Sequence, residues 1–73
     1  MRYFKTSQFV PGKGDAWMLY ECDDRMVVQR SVTHIPLTNE TTRYPDPAVK
    51  TIFRPEMLLD ATEQEFLALW SKG

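Results

Sequence analysis

An α+β fold, with an antiparallel sheet of three or four strands and a carboxyl-terminal helix packed across one face, is what this sequence predicts, and three stretches predict it. "AWMLYEC" and "RMVVQRSVTH" flank an Asp-Asp bend and are rich in strand formers, which reads as a hairpin. "RYFKTSQFV" alternates partly and stops at Pro11-Gly12, as a strand ended by a turn does. "ATEQEFLALWSKG" carries a capping box, Thr62 with Glu65 three residues later, and then Phe66, Leu69 and Trp70 at helical spacing, with Leu67 widening the stripe.

Taken in order, residues 2–10 are the first strand, and "PGKGD" is a loop too short and irregular to cradle a phosphate. Residues 16–22 and 25–34 form the hairpin. A loop of two residues (Asp23, Asp24) or four (Cys22 to Arg25) sets Leu19 opposite Val28, Trp17 opposite Arg30 and Glu21 opposite Met26, stacking Leu19, Val28, Trp17 and Val32 into one apolar patch. A three-residue loop instead pairs Cys22 with Met26, Tyr20 with Val28 and Met18 with Arg30. Asp-Asp is not the Asn-Gly or Asp-Gly signal that would decide between them. In either register both faces carry apolar residues, so a helix covers one face and a second copy of the chain is the expected cover for part of the other.

"IPLTNETTRYPDP", 35–47, has three prolines and reads as a long loop with a short edge strand at Thr41 to Tyr44. "AVKTIF", 48–53, has the composition of a last, edge strand. Pro55 suits the first turn of a short helix ahead of the terminal one.

The 73 residues make one domain, 1–73, since a chain this short buries only about 60% of its unfolded surface and has no material for a second core. With 42% hydrophobic and 12% aromatic residues the composition is globular rather than disordered. A single cysteine rules out an internal disulfide framework and favours a reducing compartment. The amino terminus lacks the apolar middle of a secretion signal, and no apolar run approaches the roughly 20 residues that span a bilayer, so the expected location is cytoplasmic, with no membrane partner. Every basic residue except Lys72 precedes position 56, whereas Glu56, Asp60, Glu63 and Glu65 give the carboxyl end an acidic face.

Most enzyme classes can be argued down. Cys22 with His34 as its base would need something to lower the thiol pKa, yet Glu21, Asp23 and Asp24 beside it raise it. One His and one Cys cannot make a structural zinc site, and Asp15, Asp23 and Asp24 lack the spacing of a calcium loop, so no metal and no cofactor is expected. No Gly-x-Ser-x-Gly, Walker or dinucleotide fingerprint is present, and the chain is read as not an enzyme. Nucleic-acid binding has a case in Arg2, Lys5, Arg25, Arg30, Arg43, Lys50 and Arg54, interleaved with Tyr3, Phe4, Trp17, Tyr20 and Tyr44, although a net charge of -1 is far from a phosphate-binding balance.

Tyr3-x-Lys5, the hairpin "LYECDDRMVVQRSV" and the terminal "PEMLLDATEQEFLALW", with its Glu-Phe-x-x-x-Trp, together resemble a family of small uncharacterised bacterial domains. In that family a strand ending in Tyr-x-Glu-x-Asp leads to an Arg-containing strand, and a helix with Glu-Phe-x-x-x-Trp closes the chain. Here Tyr20, Glu21 and Asp23 stand for the first motif, and 35–47 departs by lacking a Gly-containing turn. The resemblance implies an α+β domain of immunity or accessory type, with no established activity. The expected function is therefore non-catalytic protein–protein interaction, with a homodimer among the partners. Trp17, Tyr20, Arg25, Arg30, Arg43 and Tyr44 are the candidate partner-binding residues; nucleic-acid binding by a basic aromatic sheet face is the alternative.

Overall fold

A computed structural model describes residues 1–52 and 55–72. The chain runs β1 (Arg2–Val10), β2 (Gly14–Cys22), β3 (Val28–Ile35), β4 (Glu40–Tyr44), a 3-10 turn (Pro55–Met57), β5 (Leu59–Asp60) and α1 (Glu63–Trp70). It is the expected antiparallel α+β architecture, but the sheet has five strands, ordered β4-β3-β2-β1-β5, rather than three or four. The addition is β5, whose two residues pair with β1 through Phe4↔Asp60 and Lys5↔Leu59. So short a strand has no periodicity to read; pairing alone makes it one.

The hairpin between β2 and β3 adopts neither expected register, and the reason is local. Asp23 Oδ1 accepts from the N–H groups of Arg25 and Val27, the Met26 N–H donates to the Asp23 carbonyl, and Met26 takes a left-handed φ of 65°. That is a three-residue loop, Asp24 to Met26, shifted one residue beyond the one expected. Cys22 then pairs with Val28, but the next pair is Glu21↔Arg30, which leaves Gln29 as the extra residue of a bulge. The bulge reverses the alternation, so the tip follows one parity and the stem the other. Val28 turns to the face of Cys22, while Leu19, Trp17 and Val32 share the opposite face through Leu19↔Val32 and Trp17↔His34.

Each face has its own core. Leu19, Val32 and Phe66 are buried beneath α1, with Tyr3, Trp17, Leu69 and Trp70 packed around them. On the other face Phe4, Cys22 and Val28 are buried against Tyr20, Met26, Ile52 and Leu58. Part of that second cover comes from the chain itself: after β4 the described residues of a crossing segment, 45–52 and 55–58, lie against the face and lead to β5 at the β1 edge. The expected strand at 48–53 is absent among the described residues, since Thr51 makes one isolated bridge to Val27 and the Lys50 carbonyl accepts from Val28; Phe53 lies outside the described residues. The edge strand expected at 41–44 is β4, one residue longer. Its turn uses Asn39 at a left-handed φ of 58°, which Asn tolerates.

Thr62 caps α1 by accepting from the Glu65 N–H at 3.1 Å, but Glu65 does not return the second arm of the box because its carboxylate meets Lys5. Phe66 is fully buried, Leu69 and Trp70 are half-buried, and Leu67 is exposed, so the apolar stripe is narrower than its spacing suggests. The largest loss on truncation therefore belongs to Phe66. Phe66→Ala is expected to cost about 3–5 kcal/mol and, in a domain this small, to abolish the cooperative urea transition, whereas Thr62→Ala should only shift its midpoint by about 1 kcal/mol.

Candidate functional site

The face under α1 is organised around one carboxylate. Glu21 is buried and accepts two hydrogen bonds from Arg30, from Nε at 2.7 Å and Nη2 at 2.6 Å, with the Tyr3 hydroxyl 3.1 Å away. Such a fork against a carboxylate fixes both side chains. The other side of the Arg30 guanidinium lies 5.2 Å from the Phe66 ring centroid and 4.7 Å from that of Trp70, and Arg43 approaches Trp70 at 5.7 Å. Tyr3 packs on Phe66, and Phe66 stacks on Trp70, each at 5.6 Å. At the helix start Lys5 pairs with Glu65 at 3.1 Å.

These contacts perturb the titrating groups in consistent directions. The hydrogen bonds from Arg30 hold the Glu21 carboxyl below its ordinary value against the opposing effect of burial. The same bonds raise Arg30. Tyr3 is pushed up to about 12, first by burial and then by its hydrogen bond to Glu21.

The six candidate residues do not form one surface. Trp17, Arg30 and Arg43 lie on the α1 face, Tyr20 and Tyr44 on the opposite face, and Arg25 at the tip of the β2–β3 turn. Of the basic set, Lys5 and Arg30 are ion-paired, Lys50 pairs with Asp46, Arg2 lies over Phe4 and donates to the Met26 sulfur, and Arg54 falls outside the described residues.

Tyr20 and Tyr44 do meet, in a groove that the sequence concealed. The groove is an open space of about 650 Å3 between the sheet face and the crossing segment. Met18, Tyr20 and Val28 lie on its sheet side, Val49, Ile52 and Leu58 on the segment side, and Tyr44 also lines it. Ser31, Thr33 and Thr51 add hydroxyls and Gln8 an amide to a mainly apolar lining. Its volume falls within the range of small-molecule pockets, about 300–1,000 Å3. The sign in the sequence was the apolar trio Val49, Ile52 and Leu58, read there as parts of an edge strand and a short helix.

Cys22 and His34 do not come together. Cys22 is fully buried on the groove side, where burial first and Asp23 second push the thiol up, while His34 sits on the α1 face with Nδ1 2.8 Å from the Thr41 hydroxyl. A thiol raised by burial is a poor nucleophile. Among the described residues no group of three His, Cys, Asp or Glu side chains is placed to hold a metal ion, and no helix is long and apolar enough to cross a membrane.

Comparison with protein-family models, curated proteins and solved structures finds no match to this chain.

A depressed folded-state carboxyl contributes stability above the ordinary Glu pKa of about 4.3 and loses it as pH falls through the lower folded value. Urea midpoints measured against pH should therefore drop below about pH 4 in the native chain, with a shallower acid limb in Glu21→Gln. Arg30→Ala, which strands a buried carboxylate, is expected to cost about 3 kcal/mol at neutral pH, the low end of such cases because Arg30 is 32% exposed. Cys22 should react with a thiol reagent only as fast as the protein opens, so urea and not pH alone should accelerate labelling.

Proposed function

We propose that this chain is a non-catalytic protein–protein interaction module of immunity or regulatory accessory type, which takes its partner on the sheet face opposite α1. The observation that carries the reading is the groove, an open cleft of about 650 Å3 with an aromatic wall, against a smaller one of about 340 Å3 beside α1 among Lys5, Trp17, His34 and Leu69. Tyr44 and Val49, 43% and 66% exposed, stand at this cleft and offer the kind of apolar and aromatic area that anchors protein interfaces. A second copy of the chain is the competing occupant, although the crossing segment already covers part of the face. The resemblance to small uncharacterised bacterial domains, a sort of α+β protein that sometimes serves as an immunity or accessory partner, goes with the same class of function. A reducing, cytoplasmic setting goes with it, since the single thiol is buried and free.

Nucleic-acid binding has less support. Arg30 and Arg43 flank Trp70, and Lys5 and Arg30 are already ion-paired, so phosphate contacts would compete with the interactions that hold α1.

The immobilised chain should capture a specific protein from a lysate of its source organism, resistant to high salt. Tyr44→Ala with Val49→Glu should lose that protein while the circular dichroism spectrum stays native. Equal capture by the variant would end the reading, and capture of nucleic acid that fades steeply with salt would replace it with the alternative.

A further inference from the structure

A second surface lies along the outer edge of β1 and meets the groove at Gln8, which lines both. β5 pairs with β1 only at Phe4 and Lys5, so among the described residues nothing pairs with the outer edge of Thr6 to Val10. Open edges are normally guarded by charge, proline or a bulge. The far edge, β4, carries Glu40 and Arg43 and stops at Pro45. "TSQFV" carries no charge and no proline, and its Phe9 is 67% exposed. Two further exposed apolar residues, Met57 at 66% and Leu59 at 57%, lie in or just before β5 on the same edge.

We propose that this edge pairs with the same edge of a second copy of the chain, antiparallel about a twofold axis at Gln8, to give one continuous sheet across the dimer. The register follows from the backbone. The Tyr3 carbonyl accepts from Ala61 on the outer side, so by the two-residue alternation of a strand Ser7 and Phe9 also direct their N–H and C=O groups outward. A twofold at Gln8 sets each Ser7 opposite the partner's Phe9 and satisfies all of these groups with four backbone hydrogen bonds. A twofold at Phe9 would oppose Ser7 to the partner's Pro11, which has no N–H, and a twofold at Ser7 would oppose Phe9 to the partner's Lys5, already paired with Leu59. Only the Gln8 register uses every free group. It sets the partner's Val10 opposite Thr6 and ends the pairing at Pro11, where the partner strand turns away from Leu59, which holds the place opposite Lys5. The absence of charge from Thr6 to Val10 means that self-pairing brings no like charges together.

A five-residue strand pair makes a small interface, so the association should be weak, with a dissociation constant in the micromolar to millimolar range. Sedimentation equilibrium over that concentration range is expected to show a mass rising from 8.6 kDa toward twice that value. Gln8 is exposed, so substitutions there leave each protomer folded, as circular dichroism would verify. Gln8→Lys and Gln8→Glu each place like charges directly opposite across the axis and should each weaken the dimer about tenfold or more, while an equimolar mixture of the two restores it. Under oxidation Gln8→Cys should form a disulfide-linked dimer, because opposed residues of a non-hydrogen-bonded pair stand about 4.5 Å apart at Cα; Thr6→Cys, lying four residues from its copy, should not. A native chain that stays monomeric throughout would overturn the proposal. So would a Gln8→Lys chain that dimerises as the native one does, or a mixture that fails to recover. Tyr44→Ala with Val49→Glu should leave the dimer intact, so the groove and the edge can fail independently.

Discussion

The buried carboxylate of Glu21 is the constraint around which the helix-bearing face is arranged. A carboxylate withdrawn from water on a sheet needs a partner that supplies both charge and donors, and Arg30 does so from the facing strand with two hydrogen bonds. Once Arg30 is fixed, its guanidinium presents a flat cationic surface at the level where α1 lands. Phe66 and Trp70 lie against that surface, so an eight-residue helix, too short to be stable alone, is held by an electrostatic contact as well as by apolar burial. Tyr3 and Lys5 bring β1 into the same arrangement by reaching Glu21, Glu63 and Glu65.

The bulge at Gln29 is the second organising feature, because it lets one hairpin serve two cores. Without it, Val28 and Val32 would point the same way and the groove side would lose a buried residue. With it, the tip of the hairpin faces the crossing segment and the stem faces α1. Asp23 sustains the tip by folding its side chain over the turn, which helps to hold Met26 in a conformation that a side chain of its size seldom adopts.

Much of the fold was legible in the sequence because its signals are local. The run ending at Pro11-Gly12, the hairpin strands and the Thr62 cap each declare themselves within a few residues. What stayed hidden was settled at a distance. β5 is a strand only because β1 lies beside it, the register depended on a bulge with no residue signature, and the split of the candidate residues between two faces followed from that register. Arg30 shows the difference well: the sequence offered it as a partner-binding residue, yet its partner nine residues earlier and the helix from the far end of the chain draw it into the packing. Tyr20 and Tyr44 were singled out for their chemistry, but the wall that makes a groove of them comes from Val49, Ile52 and Leu58, whose stretches read as an edge strand and a short helix.

Joining the Tyr3 carbonyl to the Ala61 amide ties the order of assembly to the order of synthesis. The four-strand meander is made of neighbour-to-neighbour contacts that close short loops, whereas the start of the β1 edge and both apolar faces are covered by residues 45–52 and 55–70. A chain emerging from the ribosome can therefore form its hairpins while Leu19, Val32, Phe4 and Val28 still face water. Both faces stay exposed until the residues after β4 arrive, and that interval is when an uncovered sheet of this kind is most open to capture by a chaperone or by another unfinished chain.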